Sequence, residues 1–133
     1  MAERILVINP NSSLSCTDGI ASAIAPFAAP GLPRFDVMRI AEGPPAIVTW
    51  RDWYSVAEPL CRLVESEPAD AYVIACVSDP GIEAVRIATD RPVFGTLRCG
   101  VAAAMMRGER FGIVGFTDKS RPRHRRVLQA LGV

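Results

Sequence analysis

The chain has 133 residues and a net charge of +1; half of its residues are hydrophobic and 22% are charged. This length fits one compact domain, and this balance is typical of a globular protein rather than a disordered one. A chain of this size buries enough apolar surface to fold without a disulfide or a metal ion.

The sequence predicts no membrane span and no exported protein. The longest uncharged stretch, residues 19–33, is rich in alanine and contains three prolines, so it cannot form an apolar membrane helix. The N-terminus leads directly into an apolar strand without a signal region or cleavage site. We therefore expect a cytoplasmic protein with reduced thiols. Its four cysteines show neither Cys-x-x-Cys spacing nor a nearby histidine cluster, so we expect no metal site.

Basic residues are concentrated in residues 119–133, which carry one lysine and four arginines and no acid. The favoured interpretation is a solvated helix face, with His124 solvated as well. We expect no nucleic-acid partner, because this segment lacks aromatic residues for base stacking and the rest of the chain is acidic.

Short apolar runs alternate with longer segments of helical pattern, which is typical of βαβ units and a parallel sheet. Three of the apolar runs are nearly continuous, as in strands buried on both faces. The predicted strands are residues 4–8, 34–40, 71–77, 92–97 and 110–116. The predicted helices lie near residues 15–27, 50–65, 81–88, 99–107 and 121–131. The fold class is α/β, a flavodoxin-like doubly wound parallel sheet, in which an order 2-1-3-4 makes strands one and three neighbours.

Two helix starts carry capping signals. Ser13 or Ser15 can accept the first free amide hydrogens of the first helix. Asp79 precedes Pro80, which predicts an acidic N-cap followed by a proline in the first turn of the fourth helix.

Two loops at the carboxyl edge of the sheet contain the candidate site. Ligands of open parallel sheets bind outside the carboxyl ends of the strands, where the winding reverses. Asn11, Ser12 and Ser13 follow the first strand and offer donors beside a helix start, which favours a small carboxylate or imide ligand. The backbone amides of Val77 and Ser78 follow the third strand and are expected to bind the same ligand. Ordinary turn and cap chemistry is the alternative interpretation of the first loop.

Cys76 is the candidate catalytic residue. It lies between the end of a buried strand and a helix start, an arrangement expected to lower the pKa of a thiol and make it a base or nucleophile. The alternative is an inert buried thiol, because cysteine is common in protein interiors. The sequence contains no Gly-rich dinucleotide fingerprint, no P-loop and no Gly-x-Ser-x-Gly elbow, which excludes those functional classes.

Several segments together resemble the hydantoin racemases of the aspartate/glutamate racemase superfamily. They are residues 4–13, with Asn9-Pro10-Asn11-Ser12-Ser13; residues 74–84, with Cys76 in Ala-Cys-Val-Ser-Asp-Pro-Gly; residues 92–95; and residues 110–114. The resemblance spans nearly the whole chain in the same order. Arg98 departs from it, because family members tend to carry an acid after the segment that contains Gly95.

The resemblance implies a racemase that works without a cofactor and uses two cysteines, one as thiolate and one as thiol. Cys76 matches the first. The second family cysteine comes late in a second lobe, and Cys16 and Cys99 do not match it. Residues 1–108 thus resemble a first lobe and residues 109–133 the beginning of a second. The chain is interpreted either as an isomerase acting on a hydantoin or an acidic amino acid, or as a truncated, catalytically impaired module that binds a small ligand.

An assembly of several copies is also expected. A second lobe that begins with one strand and one helix leaves a sheet edge open and leaves Val127, Leu128 and Leu131 without cover. We therefore expect a homo-oligomer formed through this C-terminal region.

Overall fold

Four parallel strands form one sheet in the order β2-β1-β3-β4. In the computed structural model, which describes residues 3–133, they are β1 (Arg4–Asn9), β2 (Arg34–Arg39), β3 (Ala71–Ile74) and β4 (Val93–Gly95). The predicted α/β fold and strand order are confirmed. The third and fourth strands are shorter than expected, and both give way to loops or helix at the carboxyl edge.

Residues 3–133 contain six α-helices: α1 (Leu14–Ile24), α2 (Trp50–Ser55), α3 (Ala57–Ser66), α4 (Ile82–Ala88), α5 (Thr96–Met105) and α6 (Arg121–Ala130). Short 3-10 turns occupy Ala25–Phe27 and Asp118–Ser120. Ser13 caps α1, as expected: its Oγ accepts the Cys16 amide hydrogen at 3.2 Å. No helix within residues 3–133 has both the length and the apolarity needed to cross a membrane.

The single helix predicted near residues 50–65 is wrong, because the chain forms two helices divided at Val56. Pro59 explains the division. It has no amide hydrogen to donate to the carbonyl oxygen of Ser55, and its ring would collide with that carbonyl in a continuous helix. In the first turn of α3 the same proline is tolerated. The turn places the Val56 side chain fully in the core.

The main core lies between one face of the sheet and the helices α3 and α4. Even-numbered positions of β1 and β3 point to this face, as the two-residue period of a strand requires. The fully buried members are Leu6, Ile8, Ile74, Val56, Leu60, Ile82 and Val85. This core fixes β1 and β3 side by side and so determines where their following loops meet.

The prediction of a fifth strand at residues 110–116 is wrong. The segment has no regular secondary structure, and Val114 and Phe116 are 89% and 96% exposed. Within the described residues its backbone forms no backbone–backbone hydrogen bond. An apolar β-branched run favours a strand, but a strand forms only beside a neighbour that completes its ladder.

Helix α6 packs against the rest of the chain. Val127 is buried in a small cluster with Leu97 and Val101 of α5, so the expectation that Val127 lies uncovered is wrong. Arg126 donates from Nη1 to the Tyr54 hydroxyl at 2.8 Å, and its guanidinium lies 5.6 Å from the Trp50 ring centroid. The surface left uncovered is the apolar segment before α6 rather than the buried face of the helix.

Candidate active site

A cavity of about 350 Å³ opens at the carboxyl edge of the sheet, where the loops after β1, β2 and β3 meet residues of the C-terminal segment. Asn11, Cys76, Val77 and Ser78 all line it. Four of the six residues predicted for the site therefore lie around one space. Ser12 and Ser13 come from the same loop as Asn11 but do not line this cavity.

Asn9 organises the loop after β1. Its side chain is fully buried, and its Nδ2 donates to Asn11 Oδ1 at 2.9 Å and to Thr17 Oγ1 at 3.1 Å. Its Oδ1 accepts the amide hydrogen of Asn11 at 3.2 Å. These bonds fix the Asn11 side chain, whose Nδ2 lies 3.8 Å from Cys16 Sγ. The sequence pattern gave Asn11 a binding role but missed the positioning role of Asn9.

The loop after β1 uses its backbone amides internally. The Ser12 amide donates to the Pro44 carbonyl oxygen at 2.9 Å, and the Ser13 amide donates to Asn11 Oδ1 at 2.9 Å. Ser13 Oγ is used as the cap of α1. The group that this loop presents to the cavity is therefore the Asn11 side chain, with an N–H available for a ligand oxygen.

The loop after β3 turns sharply behind Cys76. The Asp79 amide donates to the Cys76 carbonyl oxygen at 2.9 Å, and Asp79 has a positive φ of 46°. Ser78 is buried, and its Oγ lies 3.8 Å from Cys76 Sγ. From α2, Trp53 Nε1 donates to the Ser78 carbonyl oxygen at 3.0 Å. This contact joins residues far apart in sequence, so no local pattern indicated it.

The prediction that Asp79 caps α4 is wrong. Gly81, at φ 71°, occupies the N-cap position. The Asp79 carboxylate instead accepts the amide hydrogens of Leu97 and Arg98 at 2.8 and 3.0 Å, which satisfies two free donors in the first turn of α5. The Arg98 guanidinium pairs with Asp79 and with Glu83. Arg98 thus contributes to the support of the loop and does not line the cavity.

The expected lowering of the Cys76 pKa is wrong. Burial raises the pKa of this thiol, because the thiolate loses solvation, and the Asp79 carboxylate raises it further. Hydrogen bonds from the Ser78 amide and hydroxyl and the charge of Arg123 act in the opposite direction. Helix α4 begins only at Ile82, six residues after Cys76, with two positive-φ residues, Asp79 and Gly81, between them.

Two residues of α6 that the sequence analysis assigned to a solvated face line the cavity instead. Arg123 is buried, and His124 is half-buried. Burial lowers the pKa of His124, and the neighbouring Arg123 charge lowers it further. The solvated interpretation of these two residues is therefore wrong. No local pattern indicated this position, because two of the three carbonyl partners of Arg123, those of Val48 and Ile47, lie 75 and 76 residues earlier.

The remaining thiols differ in their surroundings. Cys16 is exposed and lines the cavity with Cys76, whereas Cys99 is exposed outside it. Cys61 is half-buried against the core, and burial raises its pKa. Within the part of the chain that the structure describes, no group of three or more His, Cys, Asp or Glu side chains is arranged to hold a metal ion.

The fold thus places a cavity at the carboxyl edge of a parallel sheet, with the Cys76 thiol in its lining two residues beyond the end of β3. Residues 5–133 match the family model described as Asp/Glu/Hydantoin racemase. The chain belongs to this family.

Individual relatives agree with this assignment. The chain is 36% identical over 132 residues to a hydantoin racemase of Paenarthrobacter aurescens, covering 96% of this chain and 56% of the relative. An allantoin racemase from Klebsiella pneumoniae has a similar structure, with a TM-score of 0.89 and 31% identity over 98% of this chain and 54% of that one. An allantoin racemase from Pseudomonas fluorescens is also similar in structure, with a TM-score of 0.90 and 25% identity over 97% of this chain and 55% of that one. The chain thus spans about half the length of these relatives.

Proposed function

We propose that this chain supplies one half of a cofactor-independent racemase site, with Cys76 as its acid/base. The substrate is a small compound with an acidic hydrogen beside a carbonyl group, such as a hydantoin, the related ureide allantoin, or an acidic amino acid. The observation that supports this most is the position of Cys76: its thiol lies beside Ser78 in the cavity that Asn11 also lines. Membership of the racemase family agrees with it.

The chemistry requires a single proton transfer at a time. The Cys76 thiolate removes the hydrogen beside the carbonyl, which forms a thiol and a carbanion whose charge is delocalised onto the carbonyl oxygen. Return of a solvent-exchanged proton from the same thiol gives exchange with retention. Return of a proton by a second donor on the opposite face gives inversion. A thiol is suited to both steps because the thiolate accepts a proton and the thiol returns it; the raised pKa of Cys76 makes the thiolate the minor form at neutral pH.

The predicted binding residues fit this reaction in different ways. Asn11 Nδ2 can donate to a carbonyl oxygen of the ligand. The Val77 amide has no acceptor among residues 3–133 and lies in the cavity lining, so we assign it to the same task. Ser78 is assigned to Cys76 itself, through its amide and hydroxyl. Ser12 and Ser13 remain proposed ligand contacts. Because they do not line the cavity, only a ligand that extends beyond it would reach them.

Deuterium uptake tests the proposal. Single enantiomers of allantoin, a 5-substituted hydantoin and aspartate are incubated in deuterated water with the protein, and the protein-free rate is subtracted. We expect uptake with at least one substrate and its loss in Cys76→Ser. Cys99→Ser is the matched control, because Cys99 is exposed outside the cavity; it should keep the wild-type rate. Uptake that survives in Cys76→Ser contradicts the assignment.

A second candidate function is a binding module without turnover. It is favoured by one observation, that the chain spans about half the length of its racemase relatives. If the chain is such a module, one of the same ligands should raise its melting temperature, Asn11→Ala should abolish that rise, and no deuterium uptake should occur. Uptake catalysed by Cys76 excludes it.

A further inference from the structure

Arg123 is a buried cation in the Cys76 cavity. It is 2% exposed. Its Nη1 donates to the carbonyl oxygens of Val48 at 2.7 Å and Lys119 at 3.2 Å, and its Nη2 donates to that of Ile47 at 3.4 Å. All these acceptors are neutral. The Nε atom is buried and has no partner among the described residues.

Among residues 3–133 no carboxylate forms an ion pair with this charge, although Asp52 of α2 lies near enough for the Arg123 charge to lower its pKa. In the same part of the chain, no Asp or Glu lines the cavity. Burying a guanidinium without a carboxylate in direct contact is costly. A neutral side chain that bonds the same carbonyl oxygens would avoid that cost, so the charge itself points to a role in the cavity.

We propose that Arg123 is a positioning residue whose buried positive charge stabilises the anionic form of Cys76. Charges attract strongly across a poorly solvated space. The groups that act on the thiol are the Ser78 amide and hydroxyl and the Asp79 carboxylate from its own loop, and Arg123 from α6. His124 from α6 and Cys16 from α1 line the same cavity. Of all these groups, Arg123 is the cation that opposes the effects of burial and of Asp79.

This role rests on the proposed function only in that Cys76 reacts as a thiolate. Alkylation of the thiol needs neither substrate nor turnover, so it tests Arg123 separately. Labelling of Cys76 is followed by peptide mass spectrometry across pH with iodoacetamide, which is neutral, and with iodoacetate, which is anionic. The ratio of the two rates reports the local electrostatic potential, and the pH profile reports the ionisation of the thiol.

Arg123→Gln keeps a side-chain donor but removes the charge. We expect the Cys76 labelling rate at neutral pH to fall about tenfold, the midpoint to move upward by about one pH unit, and the preference for iodoacetate to decrease. Arg123→Lys should restore the ratio and most of the rate. Arg126→Gln is the matched control: it removes an equal charge and a contact from the same helix, but outside the cavity, and should behave as the wild type.

Circular dichroism establishes which variants fold. A folded Arg123→Gln with the wild-type profile overturns the proposal, as does an equal shift in Arg126→Gln, which would indicate net charge alone. If Arg123→Gln does not fold, the wild-type protein decides. A higher iodoacetate preference at Cys76 than in N-acetylcysteine supports the proposal, and an equal or lower preference overturns it.

Discussion

The groups around Cys76 act on its ionisation in opposite directions. Burial and the Asp79 carboxylate favour the neutral thiol, whereas Ser78 and Arg123 favour the thiolate. The result is a thiol whose pKa lies above its ordinary value. A base with this property is mostly protonated at neutral pH, so the rate of proton removal should rise with pH until the thiol has ionised.

The order of thiol reactivity follows from this balance. We predict that iodoacetamide labels the exposed Cys16 and Cys99 faster than Cys76 and Cys61 at neutral pH, because burial raises the pKa of the latter two. Raising the pH should increase the relative labelling of Cys76. Peptide mass spectrometry gives each rate, and Cys76 labelled first at neutral pH would contradict the prediction.

At the scale of elements, the loop after β3 depends on a glycine in the next strand. A Cβ atom at Gly95 would collide with the Asp79 carboxylate, which caps α5 and is held by Arg98. The close approach of β4 to this loop therefore requires glycine. It links the position of Cys76 to a strand that contributes no residue to the cavity wall.

Gly95→Ala should lower the free energy of unfolding by about 1–3 kcal/mol, because the added methyl displaces a buried, hydrogen-bonded carboxylate. Gly100→Ala is the matched control, since nothing lies within 4 Å of its Cβ position in α5. That substitution should stabilise the protein by about 0.5–1 kcal/mol. Urea unfolding measures the free energy of unfolding of both variants. An unchanged value for Gly95→Ala would show that the close approach of β4 to Asp79 does not require glycine.

The start of α2 carries a capping box between Thr49 and Asp52. Hydrogen bonds from the Thr49 amide and hydroxyl lower the pKa of Asp52. A lowered folded-state pKa contributes stability above the unfolded value, about 3.9, and loses it as the pH falls through the folded value. We predict that Asp52→Asn is less stable than the wild type near neutral pH and that the difference shrinks in acid. A difference independent of pH would contradict this sign.

Thr49→Ala removes the hydroxyl that accepts the Asp52 amide hydrogen. We expect a loss of about 1 kcal/mol in the free energy of unfolding, the usual effect of removing an N-cap. Ser55→Ala is a suitable comparison, because its hydroxyl only donates to a carbonyl oxygen within the same exposed helix; it should change stability less than Thr49→Ala does.

The features that could be predicted from sequence are those with a local signal. Buried strands have nearly continuous apolar runs, and the rule that ligands bind at the carboxyl edge brought Asn11 and Cys76 to one cavity. Trp53, Asp79 and Arg123 act through contacts with residues 18 to 76 positions away, so their roles had no local pattern. The strand expected at residues 110–116 failed for the same reason, because its pairing depends on a neighbour.

At the scale of the molecule, the apolar segment before α6 leaves several apolar side chains uncovered. Phe111, Val114 and Phe116 are exposed there, and adjacent exposed apolar side chains commonly mark an interface. The helix that follows is held by Arg123, Arg126 and Val127. The division into a first lobe and the beginning of a second, at residues 108 and 109, remains a prediction.

We predict a homo-oligomer in which this segment is covered. Light scattering should give a mass above 14.4 kDa that falls on dilution, and Val114→Glu should shift the equilibrium toward the monomer. Ile87→Glu is the matched control, because Ile87 is equally exposed, at 89%, on α4. A monomer at every concentration contradicts the prediction.

We propose that this chain carries one half of a two-base site, and the ratio of deuterium uptake to inversion distinguishes a half-site from a complete one. Both are measured on one enantiomer of the same substrate, by mass spectrometry and by optical rotation. We predict uptake that clearly exceeds inversion, because Cys76 removes and returns the proton on one face. Inversion as fast as uptake would contradict a half-site, and its loss in Cys16→Ser would then identify the second thiol of the cavity as the other base.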